Sequence, residues 1–493
     1  MIKYVSTRDI RGAFSVSSAE AIKRGLAPDG GLFVPDAVPR ISKEDTEKLV
    51  GMKYEERAAF ILSLLLPDYG YGTLAGYADE AYRDERFPGG AAPLREVADG
   101  LFSLELWHGP TCAFKDMALQ YMPRLLSGAL RMTGETRTAH ILVATSGDTG
   151  KAALEGFRDV DGVRITVFYP EDGVSPMQKM QMTTQEGGNV RVCAVKGNFD
   201  DAQTGVKRIF SDPGLAEKAN AENMFFSSAN SINWGRLAPQ IVYYFSAYCD
   251  LAARGAVSVG DPVNFTVPTG NFGNIFAAFL ARMMGLPVGR LVCASNSNRV
   301  LTDFINTGVY DRNREFFRTV SPSMDILISS NLERLLFVLG GPDATARFMK
   351  ELGDKGSYRV PDSLIGSVRS VFSGYFADED ETLGTIGEIR EKYGYLADPH
   401  SSVAFRCAGK YARETGDRTP MVVVSTASPY KFPADVLRAL GKETAESDPR
   451  AVFGALSAAT GTEPPAPLLR TLDLPVRFRD TVEPSRMETA IFG

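Results

Sequence analysis

The chain has 493 residues, 44% of them hydrophobic and 23% charged, with 47 glycines and 28 prolines, the balance of an ordinary globular enzyme of roughly two to four domains. A formal charge of −6 excludes the dominant basic field with which nucleic-acid binders collect phosphates. The cysteines (Cys112, Cys193, Cys249, Cys293 and Cys407) are far apart, with no C-x-x-C pair, which excludes a disulfide framework and a cysteine zinc site and suits a reducing cytoplasm.

The opening segment, M-I-K-Y-V-S-T-R-D, lacks the apolar core of a signal peptide, and the densest early apolar run, Ile61 to Leu66, is stopped by Pro67 far short of a membrane span. A cytoplasmic protein with no membrane partner is expected. Up to about residue 95, short helical patterns alternate with turn clusters. Ala27-Pro28-Asp29-Gly30-Gly31-Leu32 predicts a turn into Phe33-Val34-Pro35, Lys43 to Leu66 has helical periodicity, and Gly89-Gly90-Ala91-Ala92-Pro93 reads as a linker. Residues 1–95 therefore read as a small N-terminal domain, its glycine turn reaching toward the active site.

From 96 to 440 apolar runs alternate with helical patterns. Strands are expected at Phe102–Leu106, His140–Ala144, Arg164–Tyr169, Val190–Val195, Asn264–Val267, Leu291–Ala294 and Met421–Val424. Helices are expected at Met117–Met132, Lys151–Arg158, Leu237–Ala253 and Ile275–Met284. Such βα alternation predicts parallel sheets covered by helices, with ligands in loops beyond the carboxyl ends of the strands. Residues from about 310 to 390 form a less regular insert with helical patterns at Asn331–Leu339 and Thr382–Tyr393. Residues 441–493, with Pro464-Pro465-Ala466-Pro467, read as a tail packing on the outside of the catalytic region.

Several loops carry chemistry. In H-G-P-T-C-A-F-K-D-M-A-L-Q (His108 to Gln120), Lys115 stands at a turn-to-helix junction among apolar neighbours. Desolvation there would lower its pKa and let the amine condense with an aldehyde; taken alone, it is equally a surface lysine opening a helix. Thr145-Ser146-Gly147-Asp148-Thr149-Gly150-Lys151 departs from a Walker loop at Thr145 and at Ala152 after the lysine. Its small hydroxyl residues at a helix start suit a carboxylate, or simply cap the helix through Ser146 or Asp148. Asn230 to Arg236 places an arginine beside two asparagines, either a fork for phosphate or carboxylate or a solvated helix-start charge. Pro268-Thr269-Gly270-Asn271-Phe272-Gly273-Asn274 links a strand to a helix, as a phosphate cradle of backbone N–H groups or as a tight turn. Ser425 to Phe432 follows a buried-looking strand, whose end can present a hydroxyl to a ring nitrogen. His140 lies in an apolar run, His400 in a turn, and there is no G-x-S-x-G elbow; acid–base work therefore falls to lysine or to the substrate.

Taken in chain order, Y-V-S-T-R (4–8), G-L-A-P-D-G-G-L (25–32), H-G-P-T-C-A-F-K-D, A-T-S-G-D-T-G, N-S-I-N-W-G-R, P-T-G-N-F-G-N and S-T-A-S-P-Y-K-F resemble threonine synthase, a pyridoxal-phosphate (PLP) enzyme of the tryptophan-synthase-β-like fold type II, over nearly the whole chain. The resemblance implies two parallel-sheet α/β domains with the cofactor between them, plus a small N-terminal domain. It implies PLP attached to Lys115, its phosphate held by Gly270, Asn271, Phe272, Gly273 and Asn274, its pyridine nitrogen facing Thr426 and its phenolic oxygen near Asp148. Thr111, Ser146, Gly147 and Thr149 would surround the substrate carboxylate, and Asn233, Arg236 and Lys151 the substrate phosphate, with no metal. The implied reaction converts O-phospho-L-homoserine and water to L-threonine and phosphate by γ-elimination and β-addition, the last step of threonine biosynthesis. Lys115 would be the base for the α-proton, in a monomer or homodimer whose partners are small molecules. Ser428 stands where relatives often have His, so no role is carried over to it. Competing readings are another fold type II PLP lyase, such as a threonine dehydratase, and a non-catalytic PLP-binding homologue, against which the intact Lys115 argues.

Overall fold

The apolar runs assemble into two sheets, one mixed and one parallel, in the computed structural model, which describes residues 2–145, 147–171, 174–442 and 448–492. The larger sheet has six strands in the order Phe372–Phe376, Val288–Ser295, Val263–Pro268, Met421–Ser425, Leu101–Glu105, Leu94–Ala98; every pair is parallel except the last. Its central strands, Val263–Pro268 and Met421–Ser425, are buried at every residue. Burial on both faces is why they read as unbroken apolar runs rather than alternations. The second sheet is wholly parallel, in the order Thr481–Val482, Val190–Val195, Val163–Pro170, Thr138–Ala144, Met224–Ser227.

The N-terminal region is an antiparallel sheet of Ser15–Val16, Tyr4–Ser6 and Phe33–Pro35, followed by helices Lys43–Val50, Tyr54–Leu65 and Tyr71–Tyr82. It is tied to the rest by buried polar contacts. Arg57 donates to Asp250 Oδ1 and Ser246 Oγ, both at 2.7 Å, on the helix Pro239–Ala253. Thr7 Oγ1 and the Arg8 guanidinium close on Glu333 at 2.6–2.8 Å. In the glycine turn, Gly31 packs against the side chains of Ser6 and Thr7, and Thr7 in turn bonds Glu333.

Three expected elements change. The helix expected over Met117–Met132 is two, Lys115–Leu119 and Met122–Met132, because Pro123 has no N–H to give Leu119 and its ring crowds that carbonyl. The helix Asp148–Phe157 approaches the same carbonyl so closely that only glycine fits at Gly156. The tail does more than cover the outside, since Thr481–Val482 extends the second sheet beside Val190–Val195. The insert supplies the edge strand Phe372–Phe376 and the helix Leu332–Lys355, kinked at Gly341-Pro342. No described helix is long and apolar enough to cross a membrane.

Candidate active site

The lysine loop is held from behind. Thr111 donates to Asp116 through N (2.8 Å) and Oγ1 (2.7 Å), so the hydroxyl expected at a substrate carboxylate is engaged inside the protein. Burial raises the Asp116 carboxyl to about 6 despite those bonds. Gly109 allows Asp116 to sit there, since a Cβ would lie 2.6 Å from it. The loop is also stitched to the end of Met421–Ser425: Phe114 N donates to Thr426 O at 2.7 Å and Ser428 N to Cys112 O at 3.1 Å. Lys115 therefore opens its helix at a fixed place, with 9% of its surface exposed. Its Nζ is 3.4 Å from Ser323 Oγ. Burial pushes its pKa down to about 8, Asp148 opposing the shift and Arg236 and Lys431 adding to it. This is the amine that local sequence could offer only as one of two readings.

Asp148 begins the helix after Thr138–Ala144. Burial works against its charge, but Lys431 and Lys115, with hydrogen bonds from Lys431 and Gln178, hold it well below the usual carboxylate range. Lys431 Nζ, with no exposed surface, is 2.7 Å from Asp148 Oδ1 and donates to Thr111 O at 3.0 Å. Gln178 Nε2 donates to the same Asp148 oxygen at 2.8 Å. Gly147 has φ 145°, and its missing side chain is the room that the Gln178 carboxamide fills. Ser146 lies outside the described residues. Thr149 is half-buried, and no described residue bonds its hydroxyl. Lys151, one turn along the same helix, is engaged by Glu155 Oε2 at 3.1 Å and by Gln185 Oε1.

The loop Gly270–Asn274 follows Val263–Pro268 and opens the helix Gly273–Met283. Phe272 adopts a left-handed conformation (φ 61°), the kind of turn from which anion-binding nests of backbone N–H groups are built. Among the described residues, no acceptor takes the amides of Gly270 to Asn274. Asn274 Oδ1 receives Tyr243 and Tyr244 hydroxyls at 2.5 and 2.6 Å, while its Nδ2 is buried without a partner. Asn331 fixes the loop by giving N and Nδ2 to Asn271 O at 3.1 and 2.9 Å.

Thr426, 6% exposed, makes no side-chain bond among the described residues, and its N–H receives support from Ser401 Oγ at 3.1 Å. Arg236 is 5% exposed and spends one N–H on Ala229 O at 2.8 Å. It has no acidic partner among the described residues, and burial lowers its pKa to about 10 against the opposing field of Tyr243. Asn233, by contrast, is a helix cap: Oδ1 accepts from Gly235 N, and Nδ2 donates to Ile22 O and Ser228 O.

These donors fit PLP. A row of unpaired amides with an orphaned carboxamide N–H suits a dianionic phosphate, a free hydroxyl suits a ring nitrogen, and a desolvated lysine suits an aldehyde. Sequence reasoning missed Lys431, although it stands inside the S-T-A-S-P-Y-K-F motif. It also missed Gln178 and Ser323, which carried no local signal, and read His400 as a turn residue, whereas it stands in the first turn of the helix Pro399–Thr415, capped by Asp398.

Known proteins resemble this chain in sequence and in fold. The family model described as pyridoxal-phosphate dependent enzyme matches residues 92–427, that for the threonine synthase N terminus residues 3–82, and that for the threonine synthase C-terminal region residues 401–479. Threonine synthase-like 1 of Macaca fascicularis is 41% identical over 434 residues, covering 86% of this chain and 58% of its own, so the chain spans a little over half of that relative. Threonine synthase of Pseudomonas aeruginosa is 40% identical over 447 residues, covering 89% of this chain and 90% of its own. The crystal structure of PLP-bound threonine synthase from Brucella melitensis superposes with a TM-score of 0.84 at 37% identity, covering 100% of this chain and 98% of that one. A chain so matched over its whole length belongs to the threonine synthase family of pyridoxal-phosphate-dependent enzymes.

Proposed function

We propose that the protein is a threonine synthase, converting O-phospho-L-homoserine and water to L-threonine and phosphate with PLP on Lys115. The observation that carries this reading is the gathering around one buried lysine of an amide cradle, a hydroxyl and an arginine that have no acceptor, bond or counter-ion among the described residues.

In this reading Lys115 holds the cofactor aldehyde, Gly270 to Asn274 its phosphate, Thr426 its ring nitrogen, and Asp148 lies beside its phenolic oxygen. When bound, PLP would supply an electron sink for the pair left at substrate Cα. Lys115 Nζ, released once the substrate amine takes its place, would move the proton at substrate Cα, from a buried position that disfavours its ammonium form. Gly147 and Thr149 orient the substrate carboxylate, while Thr111, whose N and Oγ1 are spent on Asp116 and whose carbonyl takes Lys431, serves by fixing the lysine loop. Arg236 binds the substrate phosphate, since its spare N–H groups lack an anion. Asn233 and Lys151 serve by fixing the loop ahead of Arg236 and the helix of Asp148, because their polar atoms are engaged within the protein. Residues 1–95, 96–440 and 441–493 are proposed as the working units.

The test is product analysis with the full chain and PLP. Stoichiometric phosphate and threonine from O-phospho-L-homoserine are expected, with negligible ammonia from threonine. Ammonia release from threonine without phosphate release would make the chain a dehydratase.

A further inference from the structure

The insert returns to the site as a strap whose turn, Ser321 to Ile326, lies between Lys115 and the cradle. Ser323 Oγ is 3.4 Å from Lys115 Nζ. On its other side the same turn fills the space a side chain at Gly270 would need, with Ser323 O at 2.9 Å and Met324 Cα at 3.3 Å from that Cβ position. Behind it stands His400, 2% exposed, in the first turn of the helix Pro399–Thr415. Ser323 N points at His400 Nε2 at 3.2 Å, so that nitrogen must accept. The ring proton then belongs on Nδ1, 2.9 Å from Asp398 Oδ1, a carboxylate that also caps the helix through the backbone N–H groups of His400 and Ser401. Asp398 takes the Ser401 hydroxyl as well, and Ser401 Oγ in turn receives Thr426 N. One carboxylate thus fixes both the strap, through His400, and the Thr426 loop, through Ser401.

We propose that His400 is a positioning residue: locked by Asp398 with its proton on Nδ1, it holds Ser323 N–H and so sets the Ser323 hydroxyl beside Lys115. This rests on the reading of Lys115 as the cofactor lysine. A histidine that merely filled space in this helix would not need an acceptor aimed at the backbone of a different element. Both ring nitrogens are satisfied only if the strap is in place, and the strap can be in place only because residue 270 is glycine.

The test compares H400L, which removes the acceptor, H400Q, which can offer an amide oxygen near the Nε2 position, and S323A, which removes only the hydroxyl of a half-buried residue. In the full chain before PLP is added, the pH midpoint of Lys115 acylation is read by peptide mass spectrometry. In the PLP-loaded enzyme, the pH titration of the cofactor's absorbance and kcat are read. Loss of an acceptor for the ammonium should lower the Lys115 midpoint by roughly half to one pH unit in H400L and S323A alike, and shift the absorbance titration in both. Their kcat should fall roughly tenfold, H400Q should stay near wild type, and S323A/H400L should be no worse than S323A. Wild-type midpoints in H400L, or additive effects in the double variant, overturn the proposal, as does an H400Q that folds yet behaves like H400L. A wild-type chain that takes up no PLP would overturn the cofactor reading instead, leaving the acylation arm to decide the role of His400.

Discussion

Replacing Lys431 by methionine removes the cation in contact with Asp148 and leaves only the weaker field of Lys115. Lys431 is fully buried and Asp148 nearly so, with 2.7 Å between ammonium and carboxylate. Removing one partner of such a pair strands a buried charge and costs about 3–5 kcal/mol of stability near neutral pH. Linkage then fixes the pH dependence. In the native chain Asp148 titrates well below its unfolded value, so its contribution is complete above about pH 4 and is lost only as pH falls through the folded value. In K431M burial dominates and the Asp148 pKa rises. Proton uptake then removes the stranded charge as the pH drops, so the K431M deficit should be largest near pH 7 and shrink toward about pH 5. D148N/K431M has no charge to strand, and its deficit should be smaller and flat across that range. Guanidinium unfolding of the full chain at several pH values measures all three. A K431M deficit below about 1 kcal/mol near neutrality, or one independent of pH and equal to that of the double variant, would refute the paired-charge reasoning.

Three further outcomes follow from the site. R236M should lose a buried charge-assisted contact of about 1.5–3 kcal/mol, a roughly 10- to 150-fold drop in kcat/KM for phosphohomoserine with the cofactor spectrum unchanged; an unaltered kcat/KM would remove Arg236 from the substrate site. G270A places a Cβ 2.9 Å from Ser323 O, so the strap must shift and fluorescence-monitored PLP affinity should fall roughly tenfold, whereas wild-type affinity would mean that strap and cradle are uncoupled. K151M should lower the unfolding midpoint while leaving KM within about twofold, because the ammonium is anchored by Glu155 and Gln185; a large rise in KM with unchanged stability would return Lys151 to the substrate phosphate.

Much of the fold was legible because parallel strands buried on both faces declare themselves as apolar runs, as Val263–Pro268 and Met421–Ser425 do. Met224–Ser227 and Phe372–Phe376 did not, being short edge strands with half-buried residues that lack a decisive pattern. The loops at strand ends were visible as motifs, which is why Lys115, Asp148, Gly270 and Thr426 could be named. The contacts that tune them were not. Ser323 and His400 meet across 77 residues, and Lys431 reaches Thr111 across 320, so only the folded chain puts them together. Asn233 and Arg236 show the limit within one motif: polar residues three positions apart looked alike in sequence, yet one is saturated by backbone groups and the other keeps donors with no partner among the described residues.

The most direct measurement is borohydride reduction of the PLP-loaded full chain, followed by proteolysis and mass mapping of the modified peptide. Reduced pyridoxyl phosphate should appear on Lys115, within His108 to Gln120, and be absent from K115A. Modification of Lys431 or Lys151 instead, or a K115A chain that still binds the cofactor covalently, would contradict the assignment on which the site is built.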